Sequence, residues 1–490
     1  MLSAAGIAVA AALACLFFFF VQRGRRVSGP EPPGPGGYPL IGSMFHLREP
    51  WFHYLYERFP NCGVLLMHFG TQRVYVLSRW AEFKAAMLDN AESLTGRPTQ
   101  HITSVLFGDY GGIVASDGKI WRDYRRFTLQ TLRDLGLGRR GVEEIVQEEA
   151  VQLLAALSSG KPVDTALPLS TASANVVCQL VFGSRLASEE PQFAELLEHF
   201  SRLTQNEESN VHNYIFMALD PLIGWCSPLV RLLSSTPASR QVVGSFTQLM
   251  RFCERQRVAH GAHMAAEPRD FIEAHMIRQA APDSGVFNDT RLSLAVADLF
   301  IAGTDTTSNT LRWALLLMLR QPEAARLVRE EIRREIGDHR LPGLQDRKVL
   351  NYTQATLEEV HRIASLVPLG LAHRLLDDIS IGEYRLPRDS LVMFNVYAIH
   401  RDPDLFPEPD AFRPERHLGL DGRFEPCATL ASFGSGRTLL PGRGPRPFRL
   451  KSSGDRRDLA DLMDRQANFS GALLRSLPPH EILFEPLGSA

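Results

Sequence analysis

The sequence predicts one large, mainly α-helical domain with small β-sheets, carried behind an N-terminal membrane anchor. Three observations predict it. Helical patterns dominate the 490-residue chain. Strand-like runs are few and short. No compositional break divides the chain between Tyr38 and about Gly436, although the length alone would accommodate two or three domains.

Residues 1–21 hold no charged side chain and include four phenylalanines at 17–20, with Arg23, Arg25 and Arg26 following at once. About 20 apolar residues suffice to cross a bilayer. The charge follows the apolar run instead of preceding it, which predicts an anchor at 1–22 that is retained, with the domain on the cytoplasmic side. Residues 23–39 are basic and then proline-rich, so they form neither helix nor interior strand and read as a stiff spacer. Charge is balanced at 53 basic against 55 acidic residues, which excludes a nucleic-acid partner read from charge. The six cysteines are scattered with no CxxC pair, unlike a zinc or disulfide framework, and fit a reducing compartment.

Short β-type runs at 64–68 and 73–77 flank Gly70, a hairpin signal. Helical patterns follow at 81–89, 119–132, 142–157, 170–182, 189–203 and 239–260, and strand-like pieces return at 378–381, 384–386 and 391–394. The longest helix runs from about 291 to 319. At its centre, residues 298–307 carry Gly303, Asp305 and the pair Thr306–Thr307. Glycine weakens a helix by about 1 kcal/mol relative to alanine, and a buried acid must be paired or solvated. The stretch reads either as a kinked core helix with a satisfied polar patch, or as a helix opened to present an acid and an alcohol to a ligand.

Other motifs have two readings as well. Trp121 and Arg125 share a helical face, as an amphipathic surface or as a clamp for a carboxylate. Around them Arg122, Arg126, Arg133, Arg139 and Arg140 make a basic neighbourhood suited to an acidic protein partner. Glu359 and Arg362 form an i, i+3 pair on a helix beginning near Tyr352, and proline-interrupted loops through His400 and Arg416 bring a further cation within reach of them. Phe433 and Gly436 belong to a glycine-rich turn.

In this order and spacing the motifs resemble the cytochromes P450, specifically the microsomal family 2 type of vertebrates, over roughly residues 1–437. The resemblance implies the cytochrome P450 fold, with domain limits at 40–437, and a haem–thiolate monooxygenase inserting one oxygen atom from dioxygen into a lipophilic substrate such as a xenobiotic, fatty acid or steroid. It implies haem b as cofactor, NADPH–cytochrome P450 reductase and cytochrome b5 as partners, and the endoplasmic reticulum membrane as location. Asp305 and Thr306 match the acid–alcohol pair that relays protons in oxygen activation. Ala302 and Gly303 match residues leaving room beside the haem. Trp121 and Arg125 match ligands of a haem propionate, with Phe433 and Gly436 in the cofactor-binding loop. Glu359, Arg362 and Arg416 match a structural triad. Segments 101–107, 196–226, 300–302 and 367–369 match the walls of the substrate pocket.

One departure is decisive for the chemistry. The family's loop reads Phe-x-x-Gly-x-Arg-x-Cys-x-Gly, and its cysteine thiolate is the axial iron ligand. Aligned from Phe433, the arginine position holds Thr438 and the cysteine position holds Leu440, so the sequence offers no metal ligand there. Cys427 stands thirteen residues too early. Residues 440–448 can be back-translated as CTG CCC GGG CGA GGC CCT CGC CCG T. One nucleotide later the same string reads Cys-Pro-Gly-Glu-Ala-Leu-Ala-Arg, the expected loop and helix start. Residues 438–490 are therefore expected to be a tail outside the family's frame, with the C-terminal part of the fold disrupted and no strand signal in 451–490. Two functions follow: the monooxygenase of the family, or a catalytically inactive relative that binds haem or lipophile weakly.

Overall fold

The computed structural model describes residues 29–38, 42–43, 46, 50–98, 104–105, 112–136, 140–158, 161–186, 227–235, 237–261, 267–432, 448–452 and 481–486. The expected anchor and the helix expected at 189–203 lie outside the described residues, as do Phe433, Gly436 and Leu440. Among the described residues no helix is long and apolar enough to cross a membrane.

The chain opens with α1 (Trp51–Arg58), then strands β1 (Val64–Phe69) and β2 (Gln72–Leu77). Phe69 pairs with Gln72, so the hairpin turns on Gly70 and Thr71, with Gly70 at a φ of 59° that side chains disfavour. Next come α2 (Trp80–Lys84), which widens into a π-type turn at Ala85–Asp89, α3 (Gly118–Asp134), α4 (Arg140–Leu157), β3 (Pro162–Asp164) and α5 (Ala166–Phe182). Helices α6 (Ser227–Ser234), α7 (Pro237–Gly261) and α8 (Phe271–Ala280) lead to α9 (Asp289–Arg320), followed by α10 (Pro322–Glu335) and α11 (Asn351–Ala364). Strands β4 (His373–Arg374), β5 (Ile379–Ile381), β6 (Tyr384–Leu386) and β7 (Leu391–Phe394), the short α12 (Val396–Ile399), and strands β8 (Phe448–Ser452) and β9 (Glu481–Pro486) complete the described elements.

Helix α9 is the axis. Asn288 caps it by accepting the Arg291 N–H at 2.9 Å, and its 32 residues make a rod about 48 Å long. Its first half buries Leu292, Ala295, Val296 and Phe300 among Tyr124, Cys178, Phe252 and Phe271. Its second half buries Trp313 and Leu317 against Val360 and Ile363 of α11. The helix does not open locally at its centre: it is continuous through residues 298–307.

The main sheet has the order β1-β2-β7-β4, with β2 and β7 parallel and the other pairs antiparallel. It packs Trp51 and Phe52 of α1 on one face and Phe83 of α2 on the other. Strands β5 and β6 form a separate hairpin. The N-terminus of α11 is held from α10, where Glu331 accepts the backbone N–H groups of Tyr352 and Thr353, each at 2.7 Å.

The expectation of no strand in 451–490 is corrected. Strand β9 pairs antiparallel with both β3 and β8. Ile482 is buried against Leu157, and Leu153, Val163, Leu315 and Leu319 pack around the pair. The apolar run Ile482-Leu-Phe484 supplies the β-propensity, and a partner edge about 320 residues upstream supplies what local sequence does not show.

Candidate active site

Ala302 lies at the middle of a helix whose neighbours are core residues, yet it is exposed, and Thr306 one turn later is half-exposed. On the other side of the same turns Thr304, Asp305, Ser308 and Asn309 are buried. The centre of α9 therefore has one open face. Small residues make it: Ala302 fills little space, and the Thr306 hydroxyl folds back to donate to the Ala302 carbonyl at 2.6 Å.

The sequence-predicted residues divide between the two sides. Thr306 and Ala302 line the open face. Asp305, expected beside Thr306, points into the protein and has the Arg312 guanidinium as an electrostatic neighbour. Gly303 has a packing role, because a Cβ there would sit 2.5 Å from Val177 Cγ2 of α5. Two expected pocket walls are core: Phe300 belongs to the cluster around α9, and Leu369 packs with Trp51 under the main sheet. Segment 196–226 lies outside the described residues, as does most of 101–107.

Helix α3 is fixed to this part of α9 by Asp298, one turn before Ala302. Its Oδ2 accepts the N–H groups of Ile113 and Val114 at 2.6 and 2.9 Å, in the segment that enters α3. Burial pushes the Asp298 carboxyl up to about 6 against the pull of those two N–H groups. Gly112 is glycine for a related reason: a Cβ there would meet Asp298 Oδ2 at 2.2 Å.

On α3 the Arg125 guanidinium lies 5.5 Å from the Trp121 ring centre, within cation–π reach. A second guanidinium, that of Arg97, lies near enough to act on it electrostatically. Arg97 donates to the Ala372 carbonyl at 3.1 Å, and its own carbonyl accepts Arg374 Nε at 3.0 Å. Arg374 in turn binds Asp117 at the start of α3 at 2.6 Å, so β4, the Arg97 segment and α3 are tied together. Burial, with the Arg125 charge adding to it, lowers the Arg97 pKa. Among the described residues no carboxylate is placed against the side chain of either arginine. Two like charges acting on each other are suited to an anion between them. Arg97 was missed in the sequence, where it stands in Thr-Gly-Arg-Pro, an ordinary turn.

The third part is a buried ionic network at the end of α11. Glu359 and Arg362 are both fully buried. Glu359 Oε1 accepts Arg362 Nη2 at 2.8 Å, Arg416 Nε at 3.1 Å and the Arg413 N–H at 3.0 Å, while Oε2 accepts Arg362 Nε at 2.8 Å and pairs with His417 Nε2 at 2.9 Å. Burial alone would raise the Glu359 pKa; the bonds from Arg362 and His417 outweigh it and bring it to about 2. Arg362 also donates to the carbonyls of His400 and Pro409 at 2.8 and 2.7 Å. His400 Nε2 accepts the Ala431 N–H at 3.0 Å, leaving Nδ1 to donate to Ser365 Oγ at 2.9 Å. The network thus clamps the chain two residues before Phe433.

The comparisons with known proteins bear on this assembly. The sequence profile described as Cytochrome P450 matches residues 32–444. The chain belongs to the cytochrome P450 family. Cytochrome P450 2B2 of Rattus norvegicus is 33% identical over 442 residues, 87% of each chain. Cytochrome P450 2H2 of Gallus gallus is 33% identical over 450 residues, 88% of this chain and 87% of the relative. With Cytochrome P450 2C6 of Rattus norvegicus the identity is 32% over 498 residues, 97% of this chain and 98% of the relative. Membership makes this P450 an oxidoreductase of monooxygenase type by family, with haem as the cofactor the family implies.

The described residues fit the organic part of a haem. The open face at Ala302 gives a flat ring room against α9, and Arg97 with Arg125 supplies charge for its carboxylates. The iron is a different matter. Leu440, which falls at the family's axial cysteine when the loop pattern is aligned from Phe433, has a hydrocarbon side chain and offers no donor. Cys427 is engaged elsewhere, with its N–H on Glu358 at 3.1 Å and its sulfur 3.3 Å from Thr429 Oγ1.

Proposed function

We propose that this P450 is built to oxygenate a lipophilic substrate from dioxygen, with electrons from NADPH passed by a reductase, on the cytosolic face of the endoplasmic reticulum. The observation that carries the reading is the open face at Ala302 and Thr306 in an otherwise buried helix. Haem held by a thiolate supplies the oxygen chemistry in this family. The chain's own residues do the rest. Arg97 and Arg125 would orient the ring through its carboxylates. Thr306 Oγ1, whose proton is lent to the Ala302 carbonyl, keeps lone pairs toward the open face and can hand a proton across it. Asp305 would reach that relay only by turning from Arg312. Exposed Arg122 and Arg126 on α3 suit the acidic face of a redox partner.

A second reading, a catalytically inactive relative that binds haem or lipophile weakly, is favoured by Leu440. One measurement separates the two. The monooxygenase reading expects the reduced protein with carbon monoxide to show the red-shifted Soret band of thiolate-ligated haem. No haem, or a band of histidine ligation, supports the second reading. Leu440→Cys alone is expected not to recover the thiolate band, whereas replacing 440–447 by the shifted-frame residues should.

A further inference from the structure

Arg374 directs its side-chain donors to three separate parts of the chain. It stands in β4, an edge strand of the main sheet. Its Nε donates to the Arg97 carbonyl at 3.0 Å, its Nη2 to Asp117 Oδ2 at 2.6 Å and its Nη1 to Asp389 Oδ1 at 2.8 Å. Its backbone N–H donates to the Gly96 carbonyl at 2.8 Å. A planar guanidinium fixes the directions of its N–H groups, so acceptors that meet three of them are fixed relative to one another.

Both arginines assigned to the carboxylates depend on this group. Arg97 is held at two points by residues 372–374: its guanidinium on the Ala372 carbonyl at 3.1 Å, and its own carbonyl on Arg374. Arg125 is carried by α3, whose N-cap is Asp117. An aspartate at that position ordinarily accepts an N–H of the first helical turn. The Asp117 carboxylate makes no such capping bond and turns instead to Arg374 and to the Arg97 backbone N–H, 3.5 Å away. A link between α3 and the Arg97 segment thus stands in place of the cap. With Asp117 and Asp389 both paired to it, the charge of Arg374 is already matched, and what it supplies is geometry.

We propose that Arg374 is a positioning residue that sets the spacing of Arg97 from Arg125 for a flat ligand bearing two carboxylates. The proposal rests on the reading that these two arginines hold the carboxylates of a porphyrin. Arg374 touches no ligand; it acts through the Arg97 backbone and the start of α3.

The test uses the full chain free of haem and two iron-free probes, protoporphyrin IX and its dimethyl ester, each followed by quenching of tryptophan fluorescence. Iron ligation plays no part in either, and the two probes differ in the negative charges. The unaltered chain is expected to bind the free acid about 10-fold or more tightly than the ester. Arg374→Leu should reduce that preference to about 2-fold or less while the ester binds as before. Arg374→Lys keeps the charge but not the fork and should lose the preference as well. Asp117→Ala removes a negative charge, which by attraction alone would strengthen the hold on an anion; positioning requires that it weaken the free acid. A preference kept in folded Arg374→Leu or Arg374→Lys protein overturns the proposal, as does an Asp117→Ala protein that binds the acid more tightly. Equal losses for acid and ester overturn it too, since they mark a general role in the fold. An unaltered chain that binds acid and ester alike overturns the reading of the arginine pair, and the proposal falls with it.

Discussion

Glu359 accepts five hydrogen bonds, and its environment sets a sign for acid behaviour. Its pKa is brought to about 2 in the fold, below the ordinary carboxylate range, so the unfolded chain binds the proton first as pH falls. The stability it contributes is complete above about pH 4.5 and disappears as pH drops toward 2. Asp298 has the opposite sign. Burial lifts it to about 6, so the folded state takes up its proton first and gains stability as pH falls from about 6 to 4. Denaturant midpoints measured against pH should show both limbs, with Asp298→Asn flattening the upper one. Glu359→Gln should cost about 3–5 kcal/mol, because it strands the Arg362 and Arg416 charges in the interior. A loss below 1 kcal/mol would show that the network relaxes around the amide.

At the scale of elements, the contact between α9 and α5 depends on Gly303. Gly303→Val is expected to cost about 1–3 kcal/mol as its branches meet Val177, and Val177→Ala should recover most of that in the double variant. Thermal unfolding of the single and paired variants measures it, and simple additivity would mean that the two helices do not share this contact. The sheet of β3, β9 and β8 is tested by Ile482→Ala. Removing a side chain buried against Leu157 should cost about 2–5 kcal/mol. An unchanged melting temperature would mean that β9 adds nothing to the fold.

For the whole molecule, much of the architecture could be read in advance. Periodicity located α9 within two residues at its start, because a long helix averages the burial pattern, and short apolar β-type runs located β1, β2 and β7. The ionic triad was visible as Glu359, Arg362 and Arg416 because spacing and proline-rich loops announce it. His417, which lies beside Arg416 in the chain, was not: nothing in Arg-His-Leu says which way an imidazole turns. Arg97 and Asp298 were missed for the same reason, since each acts on a partner distant in sequence. Asp305 illustrates the converse. Its neighbour Thr306 carries the open face, but successive helix positions stand about 100° apart, so one faces the opening and the other Arg312.

The pairing of β9 with β3 has a consequence in time. Synthesis delivers β3 first, and its partner follows roughly 300 residues later, a delay on the order of 15–60 s at usual elongation rates. Through that interval Leu157 is without Ile482, and an unpaired strand edge invites other chains. A nascent chain stalled after residue 452 is expected to be held by chaperones and cut readily near β3, and one extended past 486 to be released and resistant. Limited proteolysis of stalled ribosome complexes reads the difference. Equal protection in both would mean that this part of the molecule closes before its last strand arrives.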